Sequence, residues 1–301
     1  MSDTKVDEGQ SCGGNCDSCT INSCDAHEQR PGESDADYAN RQLLTRKMLA
    51  MKHKIVVLSG KGGVGKSTVA VNLAVSLSLA GKKVGLLDVD IHGPSIPTML
   101  HLEGQRAQAS ENSIFPVEMG SLKVMSLGFL LENKDSAIIW RGPMKMGVIE
   151  QLLRDVEWGE LDYLIIDSPP GTGDEPLSVV QLIGEMDGAV MVTTPQDVAA
   201  ADVRKSLDFC RQLNLPVIGI VENMSGFICP ECGKETAIFR GNNGIIMAEK
   251  AGVPFLGKIP IDPAVGLSCD DGTPFIYHYS KTETAKRFEA ITQKILDREK
   301  P

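Results

Sequence analysis

The chain has 301 residues, 42% hydrophobic and 23% charged, with a net charge of −10. That length supports one sizeable core plus a tail, and the acidic balance argues against general nucleic-acid binding, which needs clustered cations. No apolar run approaches the ~18 residues of a membrane span, and Met1-Ser2-Asp3-Thr4-Lys5 lacks a secretion leader's basic-then-apolar pattern; a cytoplasmic protein without membrane or nucleic-acid partners is expected.

Residues 1–40 carry nine acids (Asp3, Asp7, Glu8, Asp17, Asp25, Glu28, Glu33, Asp35, Asp37) against Lys5 and Arg30, a local charge of −7. They are too polar to build a core and read as a flexible tail that orders around a metal. Residues 41–301 form the main domain. Eight cysteines without a secretion signal point to metal or cluster ligation rather than to disulfides. Cys12, Cys16, Cys19 and Cys24 stand as C-x₃-C-x₂-C-x₄-C. This suggests a self-contained [4Fe–4S] site, with zinc or a ligand-free tail as alternatives. Arg41–Met51 reads as a short amphipathic helix.

The apolar run Lys54–Leu58 reads as a buried parallel strand, and Lys66–Ala80 as a helix ending at Gly81. Between them lies Gly60-Lys61-Gly62-Gly63-Val64-Gly65-Lys66-Ser67-Thr68. A glycine-rich turn without a ligand is the plain alternative. Strand, loop and helix together favour a phosphate cradle of inward amides at a helix N-terminus. In it Lys66 would pair the outer phosphates of ATP and Ser67 would ligate Mg²⁺. Lys61, placed just after the first glycine, resembles the deviant Walker A class of MinD, ParA and the nitrogenase iron protein. That resemblance implies that Lys61 reaches a partner's nucleotide in a homodimer.

Further strands are expected at Lys83–Leu87, Leu122–Ser126, Tyr163–Ile166, Ala189–Thr193, Val217–Val221 and Phe255–Ile259. Helices are expected at Pro143–Arg154, Glu175–Ile183, Val198–Leu213, Asn243–Ala251 and Thr282–Leu296. This alternation predicts an α/β fold, a mostly parallel sheet with helices on both faces, whose ligands gather at the strands' C-terminal ends. Asp88 and Asp90 follow one strand, where a carboxylate can orient water or hold Mg²⁺ through water. The class resemblance implies Asp90 as the water-positioning residue, with Asp88 as a supporting or nucleotide-loop contact. Asp167 ends four apolar residues and reads as the acid beside Mg²⁺, followed by a Pro-Pro-Gly switch. Asn223 carries both donor and acceptor, and the class resemblance implies a contact to the adenine edge. Asp262 could also approach the base. Thr282–Leu296, with Ala285, Phe288, Ile291 and Ile295 at helical spacing, reads as a docking helix.

Cys229-Pro230-Glu231-Cys232 supplies two thiolates for one metal centre. Cys210 and Cys269 read as isolated packing residues. Two chains meeting at a two-fold axis would complete a four-cysteine site. A bridging [4Fe–4S] cluster or zinc both fit, and a thioredoxin-like redox pair is a further alternative. With GKGGVGKST, DVDIHGPS, Trp140-Arg141-Gly142-Pro143-Met144, IIDSPPGTGD, Thr193-Thr194-Pro195-Gln196-Asp197 and VENMSGF…CPEC, the chain resembles the Mrp/ApbC family of iron–sulfur cluster carrier ATPases over roughly 54–297. The resemblance implies a cytosolic ATPase that holds a labile cluster on Cys229 and Cys232 of two chains. It implies delivery to apo iron–sulfur proteins, with assembly scaffold proteins as further partners. An electron donor similar to the nitrogenase iron protein and a MinD/ParA-like positioning ATPase are the alternatives.

Overall fold

The structure is a computed structural model describing residues 29–90, 93–111, 113–130, 142–239 and 243–299. The Cys12, Cys16, Cys19 and Cys24 group lies outside them. Ser34 starts the first helix: its hydroxyl accepts the Asp37 amide at 3.1 Å, satisfying an otherwise unpaired donor of the first turn. Helix α1 therefore runs over Asp35–Leu49 and buries Leu44 and Met48. This corrects the expected Arg41–Met51 helix, because the cap begins it earlier and Met51 already belongs to a strand.

The chain continues through β1 (Met51–Ser59), α2 (Lys66–Leu79), β2 (Val84–Asp88), the short α3 (Ile96–Met99), β3 (Gln108–Ala109), β4 (Ile114–Phe115), β5 (Val117–Met119) and β6 (Leu122–Ser126). Then come α4 (Gly142–Arg154), β7 (Leu161–Asp167), α5 (Asp174–Ile183), β8 (Gly188–Thr193), α6 (Asp197–Gln212), β9 (Val217–Ile228) and β10 (Glu235–Thr236). The described chain closes with α7 (Asn243–Ala251), β11 (Phe255–Ile261), α8 (Pro263–Asp270), α9 (Phe275–His278) and α10 (Glu283–Leu296).

One sheet has the order β10-β9-β8-β1-β7-β2-β6-β5, with β11 also paired to β9. All its pairings are parallel except β5 with β6 and β9 with β10. The expected mostly parallel sheet is present, and β2, β7, β8 and the second half of β1 are almost wholly buried, as parallel strands covered on both faces must be. Register aligns the strand ends: Val57 is opposite Asp167, and Asp88 is opposite Asp167 on the other side. The C-terminal ends of β1, β2 and β7 thus form one edge, where a ligand site is expected.

Helix α2 packs on β1, β2 and β7 and against α10, while α4 meets α5 and α6 meets α7. The docking reading of the last helix holds. Ala285, Phe288, Ile291 and Ile295 are buried, and Thr282 caps the helix by accepting the Ala285 amide at 3.2 Å. Strand β9 differs most from expectation. It continues seven residues past Val221 because its far end pairs with β10. No helix among the described residues is long and apolar enough to cross a membrane.

Candidate functional site

Two groups of residues meet at the carboxyl edge. The first is the loop between β1 and α2. Gly63 and Gly65 take φ of +76° and +78°, a region that glycine enters without steric cost. Gly65 caps α2 without a side chain, so the helix begins with amides free to face an anion. A cavity of about 200 Å³ opens here, lined by loop residues including Ser67 and Thr68, with Asp90, Ser95, Met99 and Pro170. The sequence brought most of these together, Pro170 as part of the Pro-Pro-Gly switch, but Ser95 and Met99 were not singled out.

Lys66 is buried and pairs with the buried Asp167. Burial pushes the Asp167 carboxyl upward, against the pull of Lys66 and the Ser67 hydroxyl. Its Oδ2 is buried with no hydrogen-bond partner, which leaves it open to a ligand. A partnerless carboxylate oxygen beside the Ser67 hydroxyl is a hard-oxygen donor set suited to Mg²⁺. Asp167 and Ser67 would hold the ion, which would neutralise phosphate charge.

Asp88 does not line the cavity. It is buried, and desolvation together with the Asp167 charge pushes its carboxyl up to about 8. Ser126 donates its hydroxyl to Asp88 Oδ2 at 2.9 Å, and the Asp90 amide donates to Oδ1 at 3.1 Å. Asp88 therefore anchors the backbone at half-buried Asp90. Ser126, at the end of β6, was missed. Only the register of β2 with β6 puts it opposite Asp88.

Asn223 is buried, and its Nδ2 donates to the Val64 carbonyl at 2.9 Å. It thus lies against the phosphate loop. Lys61 Nζ reaches Gln196 Oε1 at 3.4 Å. Asp262 is committed elsewhere: it accepts the Ala264 amide at 3.0 Å and the Thr284 hydroxyl at 2.7 Å. Cys210 is buried as expected. Cys269 is less of a packing residue than expected; it is half-buried, and burial pushes its thiol up.

The second group is the β9–β10 hairpin. Beyond Ile228, the Gly233 amide donates to the Cys229 carbonyl at 2.9 Å and the Cys229 amide to Lys234 at 3.1 Å. This tight turn presents Cys229 half-buried and Cys232 exposed. Amides of Cys232 and Glu231 hold the Cys229 thiol below its ordinary value, favouring the thiolate that ligates metal. Among the described residues no cluster of three or more His, Cys, Asp or Glu could hold a metal, and CPEC supplies two ligands. The turn does not open a helix, so it lacks the helix N-terminus of a thioredoxin-like pair.

A family model described as "ParA: NUBPL iron-transfer P-loop NTPase" matches residues 50–296. The chain belongs to this family. Relatives named iron-sulfur cluster carrier protein support the assignment. That of Methanocaldococcus jannaschii is 48% identical over 289 residues, covering 95% of this chain and 97% of the relative. That of Methanococcus maripaludis is 45% identical over 291 residues, covering 96% and 98%. A solved nucleotide-binding protein of Archaeoglobus fulgidus, in complex with ADP, is 42% identical with a TM-score of 0.70 and covers 79% of this chain and 93% of its own. The cell division ATPase MinD of Pyrococcus furiosus, 23% identical, shares the fold with a TM-score of 0.62, covering 82% and 100%. The resemblance read from the motifs is thus borne out, as is the P-loop NTPase fold.

Proposed function

We propose that the chain is an ATP-dependent iron–sulfur cluster carrier. Two copies share one [4Fe–4S] cluster, the cargo, through Cys229 and Cys232 of each. One observation carries this reading: β9 runs unbroken from Asn223, against the phosphate loop, to the CPEC turn. Nucleotide binding midway along that strand is thereby linked to thiol geometry beyond its far end.

The residues divide the work. Amides of Gly60 to Thr68 wrap the phosphates, Lys66 neutralises the outer ones, and Asn223 reads the adenine edge. Asp90 orients the attacking water, with its backbone fixed by Asp88 and Ser126. Lys61 of each protomer reaches the nucleotide of the other, so hydrolysis is completed in a homodimer. The exposure of Cys232 favours a cluster that can leave for an apo iron–sulfur protein over a permanently held electron carrier. A thiol-reducing cytoplasm suits that cargo. The cysteines at 12, 16, 19 and 24 would hold a second cluster.

Anaerobic reconstitution of the full chain tests this, with iron and sulfide analysis, followed by mixing with an apo-ferredoxin acceptor with and without MgATP. The expected result is a dimer whose cluster moves to the acceptor at a nucleotide-dependent rate. A chain that stays monomeric with cluster and MgATP, or that gathers no iron on Cys229 and Cys232, overturns the proposal.

A further inference from the structure

The hairpin that carries CPEC is tied back to the body by a long-range ion pair as well as by the pairing of Phe227 with Ile261 of β11. Arg287 of α10 grips Glu235 of β10 with two bonds: Nη1 to Oε1 at 3.2 Å and Nη2 to Oε2 at 2.6 Å. Two parallel donors on one carboxylate fix direction as well as distance. Arg287 and the nearby charge of Lys258 hold the Glu235 carboxyl below its usual range. Glu235 also lies across β9. A Cβ at Gly226 would come within 3.0 Å of Glu235 Oε1 and 3.2 Å of the Thr236 carbonyl. The glycine lets the carboxylate fold over the strand.

The same stretch of β9 holds a backbone irregularity. Met224 has φ of +57°, a left-handed conformation that is uncommon for a non-glycine residue and costs of order 1 kcal/mol or more. It directly follows Asn223, and the pairing of β9 with β11 shifts register between Ile259 and Ile261, just beyond. The strand therefore bends between its nucleotide end and its cysteine end. Glu222, the preceding residue, is pinned from the other side: it is fully buried and accepts the Gly244 amide at 2.7 Å. The middle of β9 is fixed in the core at Glu222, its far end is held through β10 by Arg287, and Met224 lies between them.

We propose that Arg287 is a positioning residue for the cysteine hairpin, clamping Glu235 so that the bend at Met224 sets the attitude of Cys229 and Cys232 relative to the nucleotide site. This rests on the carrier reading of the site. With the clamp intact, the two thiols keep one orientation, and a change at Asn223 reaches them through the bend. With it broken, the hairpin pivots, and the thiols lose both their fixed attitude and their link to the nucleotide.

The test uses the full chain, cluster-loaded without air, in three forms: wild type, Arg287→Ala, and the charge swap Arg287→Glu with Glu235→Arg. Cluster loss to a chelator is followed by visible absorption, with and without MgATP, and amide hydrogen exchange is read over residues 227–236. Arg287→Ala is expected to speed cluster loss about fivefold, the scale of one well-formed surface ion pair. It should also shrink the MgATP effect on that rate and raise exchange in the hairpin, while ATP hydrolysis stays near wild type. The charge swap should restore all three. Unchanged exchange and release in Arg287→Ala would overturn the proposal. So would a parallel loss of hydrolysis and thermal stability that the swap fails to rescue, because the residue would then be only a general fold contact. If wild-type protein holds no cluster at all, the carrier reading fails, and hydrogen exchange alone still decides whether Arg287 fixes the hairpin.

Discussion

The phosphate loop touches β9 midway at Asn223 and the cysteine hairpin continues the strand's far end, yet the two are held by opposite means. The loop is rooted in the core: Val64 and Lys66 are buried, and Asp88, Asp167 and Asn223 around them are buried too. The hairpin stands out from the sheet, with Cys232 exposed and β10 only two residues long. A site that must bind the same nucleotide repeatedly gains from preorganised, desolvated groups. A site that must give up its cargo needs exposed ligands and a small number of breakable ties. Under the carrier reading proposed above, this difference suits a protein that keeps its nucleotide site and releases its cargo.

Substitutions at each end should separate these roles. The largest effect is expected at the core end. Lys66→Ala should lower phosphate release at least ~100-fold, and it should also lower the melting temperature, because Asp167 loses its buried cation. Cys229→Ser with Cys232→Ser should reduce iron at the hairpin site to background while ATP affinity of the cluster-free protein, measured by calorimetry, changes less than about twofold, because neither cysteine lines the nucleotide cavity. Equal damage to both properties would show that the two ends are not separable. Asn223→Ala should weaken ATP binding about tenfold, the scale of one buried hydrogen bond, with the loss read from titration against ATP and GTP.

The smallest effect concerns pH. The Asp88 carboxyl is raised from 3.8 to about 8, so the folded protein holds a proton that the unfolded chain releases. The stability this gives is fully present below about pH 4 and fades as pH climbs toward 8, at no more than about 1.4 kcal/mol per pH unit. Asp88→Asn should flatten that slope in melting curves taken between pH 6 and 8.5. A slope identical to wild type would show that Asp88 is ionised throughout.

The loop was legible in the sequence because its chemistry is local: glycines, a lysine and a hydroxyl within nine residues, framed by a strand and a helix. The same is true of Asp167, announced by four apolar neighbours. What stayed hidden depends on distant partners. The extension of β9 could not be read from Glu-Asn-Met-Ser-Gly, which looks like a loop until β10 pairs with its far end. Ser126 reaches Asp88 across 38 positions, and Arg287 meets Glu235 across 52. No residue-type pattern announces the left-handed backbone of Met224. The early start of α1 was readable after all, since Ser34 followed by Asp37 is a capping signal; α8 likewise carries Asp262 and Pro263 at its start.

The contact between Gly65 and Asn223 has an evolutionary consequence. A Cβ at position 65 would lie 2.2 Å from Asn223 Nδ2, so any larger residue there must displace the amide. Under the adenine-reading role proposed for Asn223, retuning base preference by lengthening or reorienting residue 223 draws on the same narrow space. These two positions are therefore constrained to diverge as a pair, and a library that randomises one while freezing the other will sample mostly dead variants.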